Sequence, residues 1–147
     1  MGPLHRTGAL VRRAVTYRDI RLGVAVDALL DRPLSRLVGL DVRCGDGAHR
    51  FLPYPACDVR ADDLVVESAL VLLERELEFY RLGGRAFSEL RGQPVSLDGD
   101  EVGTLADILV TPDGDVHRFV AATPEGEREL APGPRVGIGN HLLRPAV

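Results

Sequence analysis

Two stretches of this chain carry the same alternating pattern, and that repetition constrains the fold more than any other feature. Leu22-Gly23-Val24-Ala25-Val26-Asp27-Ala28-Leu29-Leu30 aligns with Val102-Gly103-Thr104-Leu105-Ala106-Asp107-Ile108-Leu109-Val110. The glycine, the aspartate and one leucine coincide. Leu22, Val24, Val26, Ala28 and Leu30 fall on one face of an extended strand, opposite Gly23, Ala25 and Asp27. Val102, Thr104, Ala106, Ile108 and Val110 occupy the matching positions. A period of two sustained over this length is a strand signal. It places Val26 and Ile108 in the core.

The likeness continues after each strand. The first stretch turns at Asp31-Arg32-Pro33 and the second at Thr111-Pro112-Asp113-Gly114. Proline presets φ and glycine accepts positive φ, so both are turn chemistries. Apolar strands follow at 36–42 and 116–122, then hairpin-like Gly45-Asp46-Gly47 and Pro124-Glu125-Gly126. Each copy then enters a proline, at Phe51-Leu52-Pro53 and Leu130-Ala131-Pro132. Each ends with a polar turn and an apolar strand: Ala61-Asp62-Asp63 before Leu64-Val65-Val66, and Gly139-Asn140-His141 before Leu142-Leu143. Several features in one order point to a duplicated unit. Each unit spans about 55–60 residues, a size at which a lone domain is marginal and gains from burying surface against a neighbour.

The second copy resembles the PRC-barrel family. The residues that carry this are Arg91-Gly92-Gln93-Pro94-Val95, Asp98-Gly99, Val102-Gly103, Asp107-Ile108-Leu109-Val110 and Asp113-Gly114-Asp115-Val116. The first copy lacks the Arg-Gly-Gln-Pro-Val opening, and its first strand is placed at Ala9 to Val15. It keeps Gly23, Asp27 and Phe51-Leu52-Pro53. The resemblance implies a mainly β chain of two tandem small antiparallel β-barrels. They occupy residues 9–67 and 86–147, and the connector at 68–85 lies outside the resemblance. It also implies a module that contacts other macromolecules and does no chemistry itself, as in the cytoplasmic domain of the photosynthetic reaction-centre H subunit and the C-terminal domain of a ribosome maturation factor.

In the connector, Leu70, Leu73, Leu77 and Tyr80 recur at helical spacing. Ser68 is the expected N-cap and Gly83 the expected C′ residue, with Arg81 in the last turn. This predicts a helix over 69–82 whose apolar stripe packs on one or both barrels. One long strand over 64–73 is the competing arrangement, because Val65, Val66 and Val71 favour sheet.

Charge narrows the partners. All 18 basic residues are arginine, against 22 acidic ones, for a net charge of −4. The arginines are scattered and form no basic stripe, so no direct nucleic-acid binding is expected. No signal peptide precedes Ala14, and the longest apolar run, 64–73, is too short to span a bilayer and is interrupted by Glu67 and Ser68. A cytoplasmic protein without membrane insertion is expected. Cys44 and Cys57 are too few for a disulfide scaffold. With His49 between them they lack the paired spacing of zinc sites.

No catalytic, cofactor or metal residues are assigned. Asp62-Asp63 and Asp98-Gly99-Asp100-Glu101 lie in expected turns. Asp27 and Asp107 recur on their strands, where a carboxylate is expected to accept hydrogen bonds from a neighbouring turn's backbone. His5, in a tail expected to be disordered, His49, His117 and His141 share no spacing. Gly137-Ile138-Gly139 lacks the third glycine and helix of a dinucleotide loop, and no nucleophile elbow or P-loop is present. The function expected is therefore a non-catalytic protein-binding or adaptor module without cofactor. The alternative is a ribosome- or RNA-processing-associated factor. The identity of the protein partner and a homodimer both stay open.

Overall fold

A β-bulge near the middle of each long strand decides which residues enter the core. The computed structural model describes residues 2–139, 141 and 142. Its elements in chain order are β1 (His5–Arg6), α1 (Thr7–Leu10), β2 (Ala14–Tyr17), β3 (Ile20–Leu30), β4 (Leu37–Cys44), β5 (His49–Pro53), β6 (Cys57–Val59) and β7 (Asp63–Val66). Then follow α2 (Glu76–Gly83), β8 (Arg85–Ala86), α3 (Phe87–Leu90), β9 (Pro94–Leu97), β10 (Asp100–Val110), β11 (Val116–Thr123), β12 (Gly126–Leu130), β13 (Val136–Ile138) and β14 (His141–Leu142).

The chain is mainly β, in two sheets, one of them curled into a half-barrel. The first has the order β5-β4-β3-β2-β7-β6, and the second β12-β11-β10-β9-β13-β14. Their equivalent strands pair alike. β3 and β10 are each 11 residues long, and each slips register against its partner at the same place, between Ala25 and Asp27 and between Leu105 and Asp107. A bulge adds one residue and flips the faces beyond it. Ala28, Leu30, Ile108 and Val110 are buried as the alternation predicts, but before the bulge the buried residues are Ala25 and Leu105. Val26 is half-buried and outside the core, because an uninterrupted period of two does not register the bulge.

The repeated glycines share one physical reason. A Cβ on Gly23 would stand 2.5 Å from the carbonyl oxygen of Arg43, and one on Gly103 would stand 2.2 Å from that of Ala122. The partner strand comes so close at both points that only glycine fits. The preceding hairpins also match, with positive φ at Arg18 and Asp19 and at Asp98 and Gly99.

Each copy lends its opening segment to the other's sheet. β1 pairs with β10, His5 opposite Val110, and β8 pairs with β3, Arg85 opposite Leu30. His5 is therefore in a strand rather than a disordered tail. The opening strand expected at Ala9 to Val15 is instead a helical turn ending at Leu10, with β2 beginning at Ala14. A residue of positive φ, Arg12, separates the two. Between the copies the two turns also pair. Leu37 N–H donates to Gly114 C=O, Val116 N–H donates to Ser35 C=O, and Arg36 bridges Asp115. One buried cluster consequently draws Val15, Leu30 and Leu40 together with Val95, Ile108 and Phe119.

The copies differ at their ends. β7, after the polar turn, runs parallel to β2, whereas β13, before the turn, runs antiparallel to β9. The two final strands matched by sequence are thus not equivalent. Leu143 lies outside the described residues.

The connector is also more broken than its periodicity predicts. Ser68 caps a 3-10 turn at Ala69–Val71 by accepting from Leu70 N–H, and α2 begins only at Glu76. Between them Leu73 acts as a strand residue. It exchanges two 2.8 Å backbone hydrogen bonds with Phe51 on the edge strand β5. Leu77 is buried with Leu29 and Phe51, and Tyr80 stacks on Phe51 at 4.4 Å. Leu70 is 87% exposed, so the stripe is buried only in part.

Candidate functional site

The two repeated aspartates sit at the bulges, and each ties down the segment lent by the other copy. Asp107 Oδ1 accepts from Ile108 N–H and from Gly8 N–H, both at 2.9 Å, while the neighbouring Thr7 hydroxyl donates to Ile108 C=O. Asp27 Oδ1 accepts from Ala28 N–H at 2.8 Å and from Ser88 N–H at 3.0 Å, and its Oδ2 accepts from the Ser88 hydroxyl. Gly8 and Ser88 are equivalent positions in the first turns of α1 and α3. The carboxylates satisfy donors that the bulge and the helical turn would otherwise leave bare. Their recurrence is thus structural.

Around Asp27 the surface opens into a cleft of about 710 Å³, within the range of small-molecule sites. Val24 and Val26, half-buried and backed by the buried Phe87, supply an apolar wall, and Arg12, Arg43 and Arg91 reach it from three separate segments. Among the described residues none of these three arginines forms an ion pair. Among the described residues Asp27 is the only acidic one of the lining, so these side chains give the cleft a formal charge of +2 in a chain of net −4. The sequence showed scattered arginines, and only the exchange of opening segments gathers these.

The three positions equivalent to these arginines carry no charge, although Val11, also in the lining, has Arg91 as its own equivalent. Gly92 matches Arg12: both have positive φ, 88° and 82°, and both donate N–H to the long strand, at Leu105 and Ala25. Ala122 matches Arg43, since their carbonyls face the paired glycines. Val11 matches Arg91, each closing its helical turn. Near Asp107 the arginine present, Arg6, is shared between Asp107 at 3.7 Å and Glu127 at 2.8 Å.

A second polar group lies under α2. Asp41 is buried on β4, with His49 Nδ1 2.8 Å from its Oδ1 and the Arg81 guanidinium on its Oδ2. This network pins the connector helix to the sheet. The equivalent residue in the second copy is Val120, opposite Asp107 as Asp41 is opposite Asp27.

The remaining candidates are dispersed. Cys57 Sγ donates to Tyr54 C=O at 3.2 Å, and burial pushes its thiol up to about 12, with the Asp58 charge adding to the effect. His49 is engaged by Asp41, so the structure does not gather Cys44, His49 and Cys57. Asp63 accepts from the Thr16 hydroxyl at 2.7 Å, and Asp98 holds Arg135 across the end of its hairpin. Among the described residues no three His, Cys, Asp or Glu side chains are grouped to hold a metal ion, and no helix is long and apolar enough to cross a membrane. His141 side-chain placement lies outside the described residues. The chain matches no protein-family model and no curated protein.

Proposed function

We propose that this chain is a non-catalytic protein-binding module built from two tandem barrels of the PRC type, and that the connector between them docks its partner. One observation carries this reading. Of five large apolar side chains left exposed among the described residues, three lie on the connector: Leu70, Phe79 at 68% and Leu82 at 73%. Phe79 and Leu82 are three residues apart, on one face of α2, while Leu77 anchors the opposite side. Exposed aromatic and aliphatic groups clustered on a fixed helix are a common form of protein contact surface. Glu76 and Glu78 flank them without ion pairs among the described residues. The occupant this favours is a protein surface with an apolar centre and a basic rim.

The test is affinity purification from the native cell, with and without nuclease, using the parent chain and a Phe79→Ser/Leu82→Ser variant. The expected result is a discrete partner that survives nuclease and is lost from the variant, while both chains melt alike. A nuclease-sensitive ribosomal set would favour the RNA-associated role instead.

A further inference from the structure

The geometry points to the cleft around Asp27 as a binding site for a small organic dianion, with phosphate or carboxylate groups on an apolar or aromatic body. This is separate from the connector surface and goes beyond the protein-binding role.

Unpaired arginines occur elsewhere on this chain, so three of them alone decide nothing. Their convergence on one concave surface is what matters. Arg12 comes from the turn after α1, Arg43 from β4 and Arg91 from the end of α3. A guanidinium presents several fixed donors and binds carboxylate or phosphate in paired fashion. The one acidic lining residue does not neutralise the three. Asp27 already accepts from Ala28 N–H, Ser88 N–H and the Ser88 hydroxyl, which leaves its carboxylate committed to the backbone it holds.

Arg12 supplies an independent observation. It holds φ 82° where the equivalent residue is glycine, and a side chain in that region costs about 1 kcal/mol or more. The backbone there has one task in both copies, to turn and donate N–H to the long strand, and Gly92 performs it without strain. The fold alone therefore gives no reason for an arginine. A cleft that uses its charge does.

The duplicated unit also acts as an internal control. The fold has kept Gly23 with Gly103 and Asp27 with Asp107, yet Gly92, Ala122 and Val11 stand at the positions equivalent to Arg12, Arg43 and Arg91. Arg12 and Arg43 thus have no charged counterpart, while Arg91, the counterpart of Val11, reaches the cleft from the second copy. The wall of half-buried Val24 and Val26, backed by the buried Phe87, then specifies the rest of the ligand. Inorganic phosphate alone would leave it uncovered, whereas a ring or short chain would dry it.

Isothermal titration of the full chain with phenyl phosphate, phthalate and inorganic phosphate at matched ionic strength tests the site. We expect one-to-one saturable binding of phenyl phosphate or phthalate, at least tenfold tighter than inorganic phosphate. Whichever of the two binds better distinguishes a phosphate from a carboxylate ligand. The variant carrying Arg12→Gly, Arg43→Ala and Arg91→Val places in the cleft the residues found at the equivalent positions. It should weaken that binding tenfold or more while melting like the parent in chloride. Arg43→Gln alone, at an exposed position, serves if the triple variant fails to fold, and should weaken binding severalfold. No saturable binding of either ring-bearing dianion, or binding undiminished in the variants, overturns the site. Equal affinity for inorganic phosphate overturns the organic ligand class.

Discussion

The surroundings of Asp27 and Asp107 are the same device put to two uses. In both copies a carboxylate at a bulge fastens the opening segment of the other copy. Around Asp107 the arrangement is closed: the residue is buried, and Arg6 is shared with Glu127. Around Asp27 the same backbone leaves an open cleft with three unneutralised arginines. The comparison separates what the fold requires from what the cleft around Asp27 adds. Glycine at 23 and 103 and aspartate at 27 and 107 are required in both. Arg12, Arg43 and Arg91 are not, because Gly92, Ala122 and Val11 serve at the equivalent positions of the same fold.

The sharpest way to break the comparison is to truncate either side of the bulge. Ile108 is fully buried beyond it, and Ile108→Ala should cost about 2–5 kcal/mol in a denaturant titration. Val26, before the bulge of the first copy, lines the cleft, and Val26→Ala should cost less than about 1 kcal/mol. Equal losses would mean that Val26 is packed in the core after all.

The aspartates come next. Asp107→Ala leaves the N–H groups of Gly8 and Ile108 without their acceptor in a buried setting, at a cost of about 1–3 kcal/mol. Asp27→Ala strips the equivalent groups of Ser88 and Ala28, but at a more open site that water reaches, so the loss should be smaller. Hydrogen exchange should rise at Gly8 in the first variant and at Ser88 in the second. A rise across both sheets together would show that the lent segments do not open separately.

The strand patterns, the turns and the paired aspartates were legible in the sequence because each is local. A bulge is not. Inserting one residue reverses the face of everything after it, and a period of two read through Val24, Val26 and Ala28 cannot register the slip. The exchange of β1 and β8 escaped for a different reason. Each is two residues long, and its pairing is set by an acceptor about 61 to 101 residues away rather than by its own pattern. The arginine cleft depends on that exchange, so it was hidden too. One signal was available: once Gly92 is aligned with Arg12, an arginine stands where the repeat wants glycine. In the connector, the helical spacing of Leu70, Leu73, Leu77 and Tyr80 was real, but Leu73 is drawn into a bridge with Phe51. That strand contact delays the helix to Glu76.

High pH should separate the copies as well. Burial holds the Cys57 thiol and the Tyr54 hydroxyl up to about 12, and the Tyr54 hydroxyl is buried without a hydrogen-bond partner among the described residues. Both groups are neutral when protonated. Between about pH 9 and 12 the unfolded chain sheds protons that the folded chain keeps, so stability is full below that window and falls as pH rises through it. The loss by pH 10 should be about 1 kcal/mol, since one unit of pKa difference is worth about that much. Cys57→Ala should flatten the fall in melting temperature between pH 8 and 10, and an unchanged slope would assign the alkaline lability elsewhere.

The smallest effect bears most directly on why the copies differ. Arg12 and Gly92 occupy the same turn, with the same positive φ and the same N–H donation to the long strand. A Cβ on Gly92 would meet nothing within 4 Å, so Gly92→Arg should feel backbone strain alone and cost about 1 kcal/mol. The reverse change, Arg12→Gly, removes the strain but gives the unfolded chain more freedom, which offsets part of the gain. Stability should rise by about 0.5 kcal/mol or stay level. Measured together by urea titration, the two variants should move in opposite directions or in one direction only for Gly92→Arg. A clear loss on Arg12→Gly would mean that the arginine side chain itself holds the fold. Its presence would then be explained by stability, and the charge on the cleft would need no ligand to account for it.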